Sequence, residues 1–252
     1  MRATALFAGS LVIALALWQF LSTVVFNPFL IPPPLVVLQT AAPMAKSGEI
    51  FRHVAISLAR VGVGFVTGSA AAIVLGVLLG RLKVLNELLD PIIELLRFLS
   101  PTAMIPIAVI WFGIGETSKY FLIFWGTFFI VLINTTAGVW RAPIARQRAA
   151  ECLGANQLQI FVLVVVPSAV PYIVTGMRVA MASSFMSIIP AEILAADSGI
   201  GYLLQKSSLL LQTYRIFVAL LTICILGFVV DRLFRFLVDR VLARYMSYVA
   251  LT

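Results

Sequence analysis

The sequence predicts an all-α integral membrane protein with about six transmembrane helices, and three observations carry that expectation. Hydrophobic residues make up 62% of the 252 and charged residues only 11%, too few polar side chains to clothe a soluble domain of this size. The apolar residues gather in six runs long enough for a helix to cross a bilayer. Lysine and arginine fall unevenly in the connections between those runs, the pattern that records membrane orientation.

The first span runs from about Thr4 to Phe26; Arg2 precedes it as in a signal peptide, but no small-residue cleavage site follows, so it is read as a retained helix. The connector Asn27 to Arg52 holds Pro28, Pro32, Pro33, Pro34 and Pro43, which favour extended turns over helix. In the second span, Val54 to Gly80, small residues recur every four positions at Gly64, Gly68, Ala72, Gly76 and Gly80. Such a stripe admits a closely packed helix, either from this chain or from a second subunit.

The third span, Leu88 to Phe112, aligns Glu87, Asp90, Glu94 and Arg97 on one face and contains Pro91, Pro101 and Pro106. Charges at membrane depth are costly unless paired or facing water, and broken backbone survives there only where protein or a wet cavity satisfies it. Glu94, Arg97 and Ser100 are therefore candidates for a translocation path, with a structural ion pair as the alternative. The fourth span is Tyr120 to Trp140. The fifth, Pro167 to Leu194, carries Pro171, Pro190, Arg178, Ser183, Ser184, Ser187 and Glu192. Arg178, Ser183 and Ser187 join the path candidates, with a buried Arg178–Glu192 pair as the competing reading. The sixth span is Ile216 to Phe236.

With the N-terminus inside, the inner set is Arg2, Arg81, Lys83, Arg141, Arg146, Arg148, Arg232, Arg235, Arg240 and Arg244, ten cations against five outside: Lys46, Arg52, Lys119, Lys206 and Arg215. Both termini are thus expected in the cytoplasm, and the chain is expected to be one membrane domain over residues 1–252. The net charge of +8 builds no continuous patch interleaved with aromatics, so nucleic acid is not an expected partner; lipid is. Cys152 and Cys224 lack metal-ligand spacing and are expected as free thiols, no metal site is expected, and the lone His53 is read as an interfacial residue. Ser183, Ser184 and Ser187 have no local base, so no catalytic residue is expected.

The longest inner connection, Arg141 to Val166, reads RAPIARQRAAECLGANQLQIFVLVVV before Pro167. Pro143 suits a first helical turn, the alanines favour helix, and Gly154 suits a turn into a second segment. The expected product is a short helix under the membrane that offers small and polar residues to a partner.

This stretch resembles the permease family of binding-protein-dependent ABC importers, whose cytoplasmic motif begins Glu-Ala-Ala, has Gly four positions after the second Ala and later reaches Leu-Pro. Ala149, Ala150, Gly154 and Pro167 match; Arg148 stands at the Glu position and Val166 at the Leu. The segment DPIIELLRFLSPTAMIPIAVIWFGIGETSK is similar to the nitrate, sulfonate and taurine branch. The resemblance implies a type I ABC importer permease fold and a coupling loop at about 141–166, with Ala149, Ala150, Glu151, Gly154 and Ala155 facing an ATPase. It further implies cytoplasmic ATPase subunits carrying ATP and Mg, a second permease copy, an external periplasmic or lipid-anchored binding protein, and residence in the bacterial inner membrane. The cargo implied is a taurine-like or other small organic anion.

The sequence has no GxxxxGK[ST] phosphate loop, so hydrolysis is assigned to a separate subunit and no cofactor to this chain. Gly199 and Gly201 in DSGIGYLL read as an ordinary turn. The alternative function is an ion-gradient-driven secondary transporter using Asp90, Glu94 and Glu192, a class compatible with broken helices.

Overall fold

A computed structural model describes residues 2–241; Arg244 of the inner charge set lies outside them. The described residues form eleven α-helices and no strand: α1 (Arg2–Phe20), α2 (Pro34–Lys46), α3 (Glu49–Arg81), α4 (Lys83–Leu96), α5 (Ile105–Phe112), α6 (Glu116–Trp140), α7 (Ile144–Cys152), α8 (Gln157–Ile160), α9 (Val166–Ala195), α10 (Ile200–Leu209) and α11 (Thr213–Val241). Single π-helical turns extend α1 through Leu21–Val25 and join α8 to α9 through Phe161–Val165. Four helices are long and apolar enough to cross a bilayer, Glu49–Arg81, Glu116–Trp140, Gln157–Ile193 and Thr213–Val238, and Val12–Val25 forms a shorter apolar helix. These are the second, fourth, fifth, sixth and first expected spans.

Two corrections concern prolines. The connector is not wholly extended: Pro34 occupies the first helical turn of α2, where its missing N–H is no loss, and the helix continues past Pro43. The third span is broken. Its charged half is α4 and its apolar half α5, separated by turns over residues 97–104. The carbonyl of Leu99, within the break, accepts a hydrogen bond from Trp125 Nε1 at 2.9 Å, so protein satisfies backbone that lipid would leave bare.

The chain divides into two compact units, residues 2–57 with 197–225 and residues 58–196 with 226–241. In the first, Trp18 Nε1 donates to the Pro32 carbonyl at 3.0 Å and Ser22 Oγ to that of Ile31 at 2.7 Å, holding the connector against the end of the first span. The first turn of α10 has backbone donors with no intrahelical acceptor. Gly199 N–H donates to His53 Nδ1 at 3.0 Å and Ile200 N–H to Ser57 Oγ at 2.9 Å, which gives His53 a definite role beyond its expected interfacial place. Gly199, at φ 118°, makes the turn into α10.

The second unit is organised by α6. Cβ atoms built at Gly64, Gly76 and Gly80 would collide with Ile123, Thr135 and Val139, and one at Gly68 would crowd Thr127. The constant offset of these pairs means that α3 and α6 run parallel, and parallel neighbours require the intervening α4–break–α5 segment to return across the membrane. The small-residue stripe is therefore spent on intrachain packing. Between α6 and α9 the order reverses: Gly138 meets Tyr172, Gly176 meets Asn134 and Thr127 Oγ1 bonds Ser184 Oγ at 2.9 Å. These two helices are antiparallel, as their connection through α7 and α8 demands.

Candidate functional site: the α7–α8 elbow and the α6 seam

Pro143 precedes α7 in an extended conformation, and the helix ends on Gly154 at φ 84°, a left-handed value that costs a side-chain-bearing residue about 1–2 kcal/mol. Ala155 N–H donates back to the Ala150 carbonyl at 3.0 Å and Gly154 N–H to that of Glu151 at 2.9 Å, closing the helix end. Asn156 then caps α8 reciprocally with Gln159: each side chain accepts the other residue's backbone N–H at 2.8 Å.

The elbow has two faces. Ala150 and Ala155 pack against the buried cluster of Val139, Ala142, Ile160, Val165, Ala169 and Ile173. Ala149, Glu151 and Gly154 are exposed, Glu151 accepting from Gln157 Nε2 at 3.3 Å. Leu153 stands 88% exposed at the tip, and a Cβ at Gly154 would meet nothing within 4 Å. Small alanines let the elbow sit close to the bundle, while an apolar residue and an open glycine project away from it. Arg81 and Arg141 flank the base, their guanidinium carbons 4.8 and 5.6 Å from the rings of Phe161 and Tyr172.

The expected path residues do not converge on one locus. Glu94 and Arg97 form an exposed pair at 3.4 Å where α4 ends, and Ser100 is exposed in the break. Ser183 and Ser187 instead face α6: Ser183 Oγ donates to the Gly126 carbonyl at 3.0 Å, and a Cβ at Gly126 would clash with Ser187 Oγ and press on Pro101. The break in the third span, the glycine of α6 and the serines of α9 thus meet in one seam, roughly 15 Å along α6 from Glu116. Gly126 was not legible from its local sequence, since nothing marks it apart from other membrane glycines.

The Arg178–Glu192 pairing is overturned. The two lie fourteen residues apart on α9, about 21 Å along the axis. Glu192, fully buried, pairs with Arg60 of α3 (Nη1 to Oε1, 2.7 Å). Arg60, itself 2% exposed, also grips Glu116 with two hydrogen bonds, Nε to Oε2 at 2.7 Å and Nη2 to Oε1 at 2.6 Å, and Lys119 Nζ reaches the same carboxylate at 2.8 Å. The cluster clasps α3, α6 and α9 at the end of the bundle remote from the elbow. Sequence reading missed it, although an arginine inside an apolar span is itself a signal that a carboxylate must arrive from elsewhere.

Comparison with known proteins fixes the family. Residues 72–243 match the binding-protein-dependent transport system inner membrane components. The chain belongs to that family. It is 36% identical to a putative ABC transporter permease protein of Methanocaldococcus jannaschii, covering 90% of this chain and 87% of the relative. It is 34% identical to the taurine transport system permease protein TauC of Escherichia coli, covering 91% and 86%. Among solved structures, a chain of the MetNI methionine ABC transporter, in inward-facing conformations, superposes with a TM-score of 0.66 at 19% identity, over 81% of this chain and 98% of the other. The importer-permease fold expected from the resemblance is the one observed, and the chain is a multi-pass ABC transporter permease of the import family.

Proposed function

We propose that this permease is the membrane-spanning subunit of an ATP-driven importer, that its α7–α8 elbow receives the motion of a separate cytoplasmic ATPase, and that its cargo is a small organic anion of the sulfonate type handed over by an external binding protein. The observation that carries the coupling role is the two-faced elbow: Ala150 and Ala155 bind it to the core that continues into α9, while Leu153 and the open Gly154 project. A push on the projecting face is passed through α8 and the π-turn into α9 as a rigid element, and α9 carries the seam serines. ATP and Mg belong to the partner in this reading, the elbow end of the bundle is cytoplasmic, and two permease copies enclose the path.

The cargo assignment draws on the taurine relative and on Arg97, which is only loosely held by Glu94 and lies beside the break. The seam suits alternating access because a broken helix packed on a glycine can shift without unmaking a regular hydrogen-bond ladder.

Gly154→Arg tests the coupling role. The side chain enters open space in this chain and adds only the roughly 1–2 kcal/mol of the left-handed backbone at this position, so insertion and fold survive, while ATP hydrolysis stimulated by loaded binding protein is lost. Full stimulation in that variant would show that the elbow does not transmit.

A further inference from the structure

A groove of about 600 Å³ opens between α9 and α11, lined by Thr175 and Arg178 on one side and by Arg232, Phe234, Arg235 and Phe236 on the other. Its charge is unbalanced. Arg235 pairs with Asp231 at 2.6 Å, yet its Nε is buried with no acceptor. Arg178 and Arg232 pair with no carboxylate among the described residues; Arg232 only rests its guanidinium 5.3 Å from the Phe228 ring. Three guanidinium groups therefore face one described carboxylate.

Depth makes that imbalance costly. The stretch of α3 from Arg60 to Arg81 is about 31 Å long, the thickness of a hydrocarbon core. Arg178 lies about 21 Å along α9 from Glu192, in the half nearer the elbow, where an unpaired cation costs a few kcal/mol unless it snorkels to an anion. Arg178 is also turned away from the seam: at 100° per residue it lies about 140° from Ser183 and 180° from Ser187 around α9. The side it faces is α11, whose Val229, Leu233, Phe236 and Leu237 are half exposed or more, the surface a helix shows to lipid. Phe234 and Phe236 give the groove apolar walls beside its cations.

We propose that this groove binds the phosphate of an anionic phospholipid from the leaflet at the elbow end, with Arg178 and Arg232 as donors, Arg235 adding positive charge beside them, and the phenylalanines against the glycerol and first acyl carbons. Guanidinium groups suit phosphate because they offer several N–H donors in a fixed plane. A soluble oxyanion would satisfy the same donors but has no use for the apolar walls.

The test uses the full chain in the assembly in which it purifies, with lipid retention read by native mass spectrometry after adding dioleoyl phosphatidylglycerol or dioleoyl phosphatidylcholine. At about 1 kcal/mol for each of two uncompensated arginines, phosphatidylglycerol is retained about 30-fold over phosphatidylcholine. Arg178→Gln with Arg232→Gln brings the two lipids to near parity, and the Lys, Lys pair keeps most of the preference. Equal retention of both lipids by the parent chain overturns the proposal, as does an undiminished preference in the Gln, Gln variant. Release of phosphatidylglycerol by millimolar sodium sulfate, with sulfate held in its place, would assign the groove to a soluble anion and also overturn it. The measurement needs no ATPase, so its failure leaves the coupling reading untouched.

Discussion

Two ionic clusters in the same unit, the Arg60 clasp and the α9–α11 groove, show opposite ways of carrying arginine in an apolar protein. The clasp sets two cations against two carboxylates, and its three ion pairs among the described residues cross between α3, α6 and α9 or stay within one turn of α6. The groove sets three arginines against Asp231 on the same helix as two of them. Paired charge buried in protein holds helices in register; unpaired charge at depth asks for something from outside the chain. A count of cations would rank the two alike, whereas their carboxylates separate architecture from site.

The largest expected effect lies in the clasp. Arg60→Met removes the guanidinium facing buried Glu192 and lowers stability by about 3–5 kcal/mol, because the buried carboxylate loses its compensating charge. Adding Glu192→Met to it recovers part of that loss. Denaturant unfolding in detergent micelles measures both, and a loss below about 1 kcal/mol for the single variant would show that the clasp is not what holds this end. Next comes Gly76→Val, whose Cβ would lie 2.7 Å from Thr135 Cβ; it costs about 1–3 kcal/mol by forcing α3 from α6. Gly62→Ala, on the same helix with nothing within 4 Å of its Cβ, is the control and should be neutral or slightly stabilising; equal losses for the two would remove the stripe from the packing account.

The smallest effect on stability belongs to Arg97→Gln, since its exposed pair with Glu94 is worth less than about 0.5 kcal/mol. Its readout is transport. Loss of one charge-assisted contact to an anion in the path lowers the initial uptake of a sulfonate such as taurine about tenfold. Unchanged uptake would return Arg97 to the surface pair seen in the free chain and narrow the path to the seam.

The α7–α8 elbow was legible because its signals are local: Pro143 before the helix, alanines within it, Gly154 after it. The break in the third span was legible as a distortion from Pro101 and Pro106, but not as two separate helices. Arg178 was paired wrongly with Glu192 because both sit on one span, although the rise of a helix already places them out of reach. The connector helix α2 was missed because its prolines were weighed as breakers, when Pro34 stands at the one helical position where proline is favoured.

By itself the sequence determined that this chain lives in a membrane, where its long spans fall, how the inner connection turns and which family it resembles, since hydropathy, periodicity and turn chemistry act within a few residues. Only the tertiary structure decided that the glycine stripe faces α6, that Arg60 rather than Arg178 neutralises Glu192, and that three arginines line one groove. Those facts depend on which helices are neighbours and which way each is rotated, and both are settled by packing between residues that may stand a hundred or more positions apart in the chain.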